Sequence, residues 1–430
     1  MNETLKFAGK PYPHWQRRFF TIWSGQAISM LGSQIVSFAI VWYLTEQTGS
    51  ATVLAIASMF GILPNILLSP FAGAMADRGD RKSIMIISDL IVGLARLLGF
   101  FLFLTGAIQV WHIYLMIFVG SAAGSFQHPA MASSTGLMVP KKHLSRVAGM
   151  NQTLQGALSI AGPPLGALLM SLTTIANIYM VDVITMLFAV LPLLFIPIPR
   201  LETRKDSNGD VIKQSFFQDI KEGFQYILNW KGLTLLLLSA MLINFLISPA
   251  MSLLPLLVSK HFGGNEVQLA LMNSMLGIGM LIGGIILSIW GGFKRRIFTS
   301  FMGLIVSGLS LAVVGFIPST GFSVAVFVFL ISALMIPFIN GPIHAVVQSA
   351  VTPEMQGRVI SLIGTAAGFA MPIGLAIAGP VSDAIGIQTW FIIGGICMSL
   401  TGILGFMSPA MRHIEDQHQR SESIEALLTN

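Results

Sequence analysis

At 430 residues the chain is long enough for two or three soluble domains, yet 54% of its residues are hydrophobic and only 10% are charged, against roughly 25% charged in a soluble domain. So few charges cannot cover a water-exposed surface of this size, which excludes an ordinary soluble enzyme and implies that lipid covers much of the molecule. The net charge of +6 is scattered in short clusters, which argues against a nucleic-acid partner, and the lone cysteine, Cys397, excludes an internal disulfide and carries no redox or metal signature.

A membrane-crossing helix needs about 20 apolar residues. Apolar runs between polar breaks predict twelve spans, at 19–44, 52–76, 83–105, 111–138, 146–170, 177–199, 233–258, 267–290, 297–317, 322–350, 359–383 and 388–408. The first run is too long for a signal core and lacks a small-residue cleavage site, so it is expected to stay as the first span. If both termini are cytoplasmic, 22 of the 24 Lys and Arg residues fall in inside segments, with only Lys260 outside and Arg96 within a span. That asymmetry predicts a multi-pass membrane protein with both ends inside, and the expected location is a bacterial-type cell (inner) membrane. Tryptophans agree: Trp42, Trp111 and Trp390 mark outer boundaries, and Trp15, Trp230 and Trp290 inner ones. The expected organisation is an N-terminus (1–18), a six-helix half (19–199), a linker (200–232), a second six-helix half (233–408) and a tail (409–430).

In chain order, span one carries Gln26, Ser29, Ser33 and Ser37 at helical spacing, which marks a wetted face. The turn before span three reads GAMADRGDRK (73–82), a dense knot of charge between two apolar runs. Span three then holds Asp89 and Arg96 on one face, two turns or about 10–11 Å apart, too far for a direct pair unless long side chains bend or another group bridges. Span five offers Gln152, Gln155 and Ser159. Asp182 lies five residues into span six and suits either a protonation site or a structural hydrogen bond to a neighbouring helix. An ionisable group near the bilayer centre costs roughly 2.5–3.5 kcal/mol, which makes Asp89, Arg96 and Asp182 candidates for proton coupling. Asp89 also suits a supporting role for the charged turn. The linker opens with a polar, flexible LETRKDSNGDVIK and continues with Phe216, Ile220, Phe224 and Ile227 on one helical face, as in a helix lying on the membrane surface or the bundle. Span seven offers Asn244, Ser248 and Ser252; span ten offers Asn340, His344 and Gln348. Histidine is the residue type that switches charge in the physiological range, so His344 is a fourth coupling candidate, with a structural histidine bonded across helices as the other reading. Glu46 and Asp383 fall at the outer edge, where they read as solvated.

The linker separates two similar halves. VPKKHLSRV (139–147) aligns with VTPEMQGRV (351–359) at an offset of 212, and in that register Arg146, Thr153, Gly156 and Gly162 match Arg358, Thr365, Gly368 and Gly374. GDRK before span three has a basic counterpart, FKRR (293–296), before span nine. A parallel six-span repeat is the sequence mark of one transporter architecture.

The turn GAMADRGDRK resembles the signature loop of the major facilitator superfamily, in Gly73, Asp77, Arg78, Arg81 and Lys82, with Asp80 where the family usually has glycine. The resemblance implies a conformational latch, in which Asp77 meets the unpaired amides at the start of span eleven in one transport state. Gly149, Gly162-Pro163 and Gly166 resemble the glycine-proline motif of the superfamily's antiporters, with Leu158 in place of its middle glycine. The strings AIVWYLTEQTGSATVL, GDRKSIMIISDL, FQHPAM, IKEGFQYILNWKGL, GRVISLIGT and AMPIGLAIAGPVSD are similar to the macrolide-efflux branch. What this implies is an all-α integral membrane fold, twelve transmembrane helices in two pseudo-symmetric six-helix halves, and export driven by the proton-motive force. It also implies that spans one, four, seven and ten line a central cavity, with Gln26, Ser29, Ser33, Asn244, Ser248, Asn340 and Gln348 toward the pathway; Gln152 and Gln155 on span five are further cavity candidates. The family's fourth-span arginine is replaced by Gly120, and Arg96 is the candidate to stand in for it.

No phosphate-binding G-x-x-x-x-G-K-[ST] loop, nucleophile motif or paired Cys/His cluster occurs, so no enzyme activity, cofactor or metal is expected. The expected function is proton antiport of a small amphipathic, macrolide-like substrate, with protons and the lipid bilayer as the other partners. Export of a siderophore or other metabolite, a lysophospholipid flippase, an uptake carrier, and a membrane sensor or ATPase partner stand as alternatives.

Overall fold

The computed structural model describes residues 6–7, 10–11, 14–198, 224–351 and 353–415. The predicted polar linker, with Phe216 and Ile220 of its apolar face, and the tail from residue 416 lie outside the described residues. A pair of two-residue strands, β1 (Lys6–Phe7) antiparallel to β2 (Lys10–Pro11), precedes a series of helices.

Six helices follow: α1 (Trp15–Thr48), α2 (Ala51–Arg78), α3 (Arg81–Leu104), α4 (Val110–Met138), α5 (Leu144–Leu172) and α6 (Ile175–Phe195). The second series is α7 (Lys231–Leu256), α8 (Glu266–Trp290), α9 (Arg296–Phe316), α10 (Phe322–Leu334), α11 (Ile336–Ala350), α12 (Pro353–Ile385), α13 (Ile387–Met407) and the one-turn α14 (Pro409–Arg412). Each predicted span coincides with a helix, except that the tenth is divided between α10 and α11. Pro337 is the cause: it lacks an N–H and its ring opposes the helical carbonyl behind it, so the chain tightens to a Met335 N–H···O=C Ser332 turn of 3.2 Å. Ten segments, α10–α11 counted as one, are apolar and long enough to cross a bilayer. α4 and α5, with 29 residues each, have the length but carry more small and polar residues.

The chain folds as two compact units. The first comprises Met1–Gly49, Ile56–Val211 and Glu266–Ser274; the second comprises Ser50–Ala55, Ile212–Asn265 and Met275–Asn430. In the first unit α1 packs on α5 and α6, and α3 packs on α4 and α6. One core lies at a single end of the unit, where α1, α3 and α5 begin and α2, α4 and α6 finish. It joins Phe19, Ile22, Ala76, Met85, Met138, Val147 and Leu193. The second unit repeats the arrangement with Leu233, Leu236, Phe301, Val346, Val347 and Val359. Small residues permit the closest crossings, as expected where packing rather than water exclusion drives helix association. A Cβ on Gly25 would lie 2.1 Å from the Phe188 carbonyl oxygen on α6, and one on Gly32 would lie 2.1 Å from Thr185 Oγ1.

Two helix starts are exchanged between the sequence halves. The first residues of α8 belong to the first unit, where Ser274 Oγ donates to the Ile160 carbonyl on α5 at 3.0 Å. The first residues of α2 belong to the second unit, beside α7 and α12, where Ser252 Oγ donates to the Leu54 carbonyl at 3.2 Å. α8 and α12 are the repeat counterparts of α2 and α5, so the two exchanges are one device used twice.

Candidate functional site

Two polar layers cross the interior of the first unit, two helical turns apart. In the first layer Asp89 on α3 is 4% exposed and Gln26 on α1 is 6% exposed. Gln26 Nε2 donates to Asp89 Oδ2 at 3.0 Å, while Gln127 Nε2 on α4 donates both to Asp89 Oδ1 and, at 3.0 Å, to Gln26 Oε1. Three helices are thereby tied to one carboxyl group. Among the described residues no Lys or Arg pairs with Asp89. A carboxylate held in the interior by amides alone gains hydrogen bonds but no opposite charge.

The second layer is an ion pair. Arg96 Nε lies 3.0 Å from Asp182 Oδ2, with side chains 11% and 2% exposed. Ser33 Oγ of α1 donates to Asp182 Oδ1 at 3.1 Å. The Arg96 guanidinium also sits 5.6 Å from the centre of the buried Tyr179 ring. The spacing has a simple origin: Gln26 and Ser33 on α1, like Asp89 and Arg96 on α3, are seven residues apart and so recur on one face. Asp89 and Arg96 therefore do not meet, as their spacing predicts, and each finds its partner on another helix.

The remaining expected residues are distributed as follows. Ser29 is buried between the layers. Gln152 and Gln155 on α5 are exposed, as are Asn340, His344 and Gln348 on α11. Asn244 is half-buried and donates to its own helix at Ala240; Ser248 is also half-buried. His344 makes no side-chain hydrogen bond among the described residues. His261, which the sequence reading passed over, is fixed: its Nε2 is 2.8 Å from the Ile317 carbonyl and its Nδ1 faces Gln388. It lies in a π-helical turn, Leu257–His261, that follows Pro255 at the end of α7.

The antiporter-like motif lies on the α5–α1 crossing. A Cβ on Gly162 would stand 3.1 Å from Gln34 Cβ, and one on Gly166 2.7 Å from the Phe38 ring; Gly149 has nothing within 4 Å. α5 continues unbroken through Pro163 and Pro164. In the signature turn, the side chains of Asp77 and Arg78 lie outside what the structure describes, and Gly73 has open space around it. Arg81 is 4% exposed, and its Nε has no hydrogen-bond partner among the described residues. Lys82 Nζ donates to the Leu194 carbonyl at 3.0 Å, placing a cation on the final turn of α6, where the helix dipole favours one. Asp80, the departure from the family pattern, occupies the N-cap position of α3 and accepts from Ser83 Oγ at 2.9 Å.

The reading of Asp383 as solvated is incomplete. In the second unit its carboxylate caps the first turn of α2, accepting from Ala51 N–H at 2.7 Å and Thr52 N–H at 3.0 Å. It also accepts from Thr52 Oγ1 at 2.7 Å and Ser50 Oγ at 2.9 Å. The close approach requires Gly379, where a Cβ would stand 2.8 Å from Thr52 Cα. A Ser-Ala-Thr helix start and a Gly-x-x-x-Asp on another helix carry no joint signal in sequence, which is why this site, like Gln127, escaped sequence reasoning.

The model of the Major Facilitator Superfamily matches residues 22–375. Macrolide efflux protein A of Streptococcus pyogenes is 36% identical over 396 residues, covering 90% of this chain and 96% of that protein. Macrolide efflux protein A of Enterococcus faecalis is 35% identical over 331 residues, covering 76% of this chain and all of that protein. The crystal structure of a bacterial homologue of the iron transporter ferroportin superposes with a TM-score of 0.68 at 14% identity, covering 90% of this chain and 98% of that one. With its paired six-helix series, its signature turn and this match over most of its length, the chain belongs to the major facilitator superfamily of non-enzymatic, multi-pass membrane transporters.

Proposed function

We propose that this transporter exports a small amphipathic, macrolide-like compound by alternating access, in exchange for protons, with both termini in the cytoplasm. The observation that carries the coupling is Asp89. It is a buried carboxyl, tied among the described residues to α1 and α4 through Gln26 and Gln127. As a carboxylate it accepts from both amides. Once protonated it must donate one bond, and the amide it faces must turn its oxygen toward it. A single proton thus rearranges contacts among three helices, which is the link between protonation and helix movement that antiport requires. Arg96 and Asp182 take the static role: a proton on Asp182 would strand a guanidinium in the interior, a far costlier change. The macrolide-like substrate rests on the likeness to macrolide efflux protein A over 90% of the chain. Exposed amides, Gln152 and Gln155 on α5 and Gln348 on α11, are polar groups of the kind an amphipathic ligand needs.

The test is accumulation of a labelled macrolide in energised cells lacking their own pumps. Cells carrying the protein should hold severalfold less label, and a protonophore should return them to the control level. Asp89→Asn keeps an acceptor and a donor for the two glutamines, so it should reach the membrane at normal levels yet lose the protonophore-sensitive export. Unchanged accumulation with the protein in the membrane would retire the macrolide. Wild-type export by Asp89→Asn would retire Asp89 as the coupling group.

A further inference from the structure

A groove of about 430 Å³ runs along the surface of the second unit between α7 and α13. Its walls are Leu235, Leu238 and Leu242 on one side and Leu404, Met407 and Met411 on the other. Among the described residues the only polar side chains on it are the hydroxyls of Ser239, Thr401 and Ser408. Leu238 is 54% exposed and Met407 70% exposed, so the groove opens to the side of the bundle. From Leu235 to Leu242 it follows α7 for about 10 Å at 1.5 Å per residue. One end is closed, because the first turn of α7 packs on the segment after α13: a Cβ on Gly232 would meet the Ala410 carbonyl at 2.9 Å and Ile414 at 3.1 Å.

Positive charge collects at that closed end. Lys231, next to Gly232, is exposed, and so is Arg412, next to Met411 of the groove wall. Arg412 and Arg295 both lie over the ring of Phe298, with guanidinium carbons 6.0 Å and 5.9 Å from its centre. Arg295 also donates to the Arg412 carbonyl at 3.0 Å. Lys294 and Arg296 are exposed beside them. The acidic neighbour, Glu415, spends one oxygen on the Ile297 N–H at 2.9 Å, and among the described residues no carboxylate pairs with Arg412 or Lys231. The groove therefore has an apolar body and a cationic end, the complement of a chain with an anionic head.

We propose that this groove binds one anionic phospholipid, an acyl chain lying between α7 and α13 and the phosphate resting against Arg412 and Lys231. The cationic end tells an anionic headgroup from a zwitterionic one, and the leucine wall holds the chain. This goes beyond export itself and does not depend on the substrate.

Native mass spectrometry of the purified full-length protein tests it, with dioleoylphosphatidylglycerol and dioleoylphosphatidylcholine offered in equal amounts. The wild type should retain phosphatidylglycerol about tenfold more than phosphatidylcholine. In Lys231→Gln/Arg412→Gln the preference should fall below about twofold. Leu238→Trp fills the groove from a lipid-facing position that a large apolar side chain suits, and should lose the tightly held lipid while circular dichroism and melting stay as in the wild type. Equal retention of both lipids by the wild type would overturn the proposal. So would a preference that survives in Leu238→Trp, whatever the fate of the charge variant. Retention of an added macrolide that Leu238→Trp abolishes, in place of phosphatidylglycerol, would overturn it in favour of a substrate entry groove.

Discussion

Arg96 and Asp182 show how a charge earns a place among apolar helices. Neither residue is tolerable alone in the interior, and each satisfies the other at 3.0 Å while Ser33 takes a remaining carboxylate lone pair. Removing one partner leaves the other buried and unpaired, which costs about 3–5 kcal/mol, whereas replacing both with apolar residues of similar volume is close to neutral. Asp182→Asn and Arg96→Ala should therefore each lower the melting temperature of the purified protein strongly, and Arg96→Met/Asp182→Leu should recover most of the loss. A double variant no more stable than the singles would mean that the pair is not what makes either residue indispensable. The residues themselves were legible in sequence as costly intramembrane charges. Their pairing was not, because α3 and α6 are brought together by tertiary packing, and nothing in the chain says which face of α6 turns toward Arg96. Gln127 was hidden for the same reason: an amide on α4 becomes informative only once Asp89 is known to face it.

Between elements, the contacts of Asp383 define how α2 begins. The first amides of a helix have no intrahelical acceptor, and here Ala51 and Thr52 find theirs on α12 rather than in a preceding N-cap side chain. Loss of such a cap costs about 0.5–2 kcal/mol, so Asp383→Ala should speed amide exchange at residues 51 and 52 by roughly tenfold, the equivalent of about 1.4 kcal/mol. Asp383→Asn keeps one acceptor oxygen and should lie between. Exchange rates at 51 and 52 that ignore the alanine substitution would show that the turn is held by Ser252 and the Gly379 contact instead. The helices were read from sequence with nearly their true limits, because apolar length is a local property. The exception, the break at Met335, is local too, since Pro337 announces it. Helix exchange between the two units is a different matter, for it depends on tertiary contacts that leave no periodic trace.

For the molecule as a whole, the distribution of charge makes the sharpest statement. A helical fold in lipid is set by apolar length, but its direction across the bilayer is set by the Lys and Arg residues of short connections. Of 24 such residues, the twelve-span reading assigns 22 to the side it gives to the two termini. Lys142, in the turn before α5, and Lys260, at the end of α7, stand on opposite sides of that division, and both are exposed. The chain also offers a clean background, since Cys397 is its only cysteine. In a Cys397→Ser protein, Lys260→Cys should react with a membrane-impermeant maleimide in intact cells, while Lys142→Cys should react only after the cells are opened. The reverse pattern would place both termini outside. Asp89 would then sit nearer the outer face. Labelling of both positions in intact cells would instead mean that the charge pattern does not govern this chain, and the cytoplasmic assignment of the signature turn would fall with it. The orientation thus decides whether the signature turn and the charged connections around it face the cytoplasm or the outside.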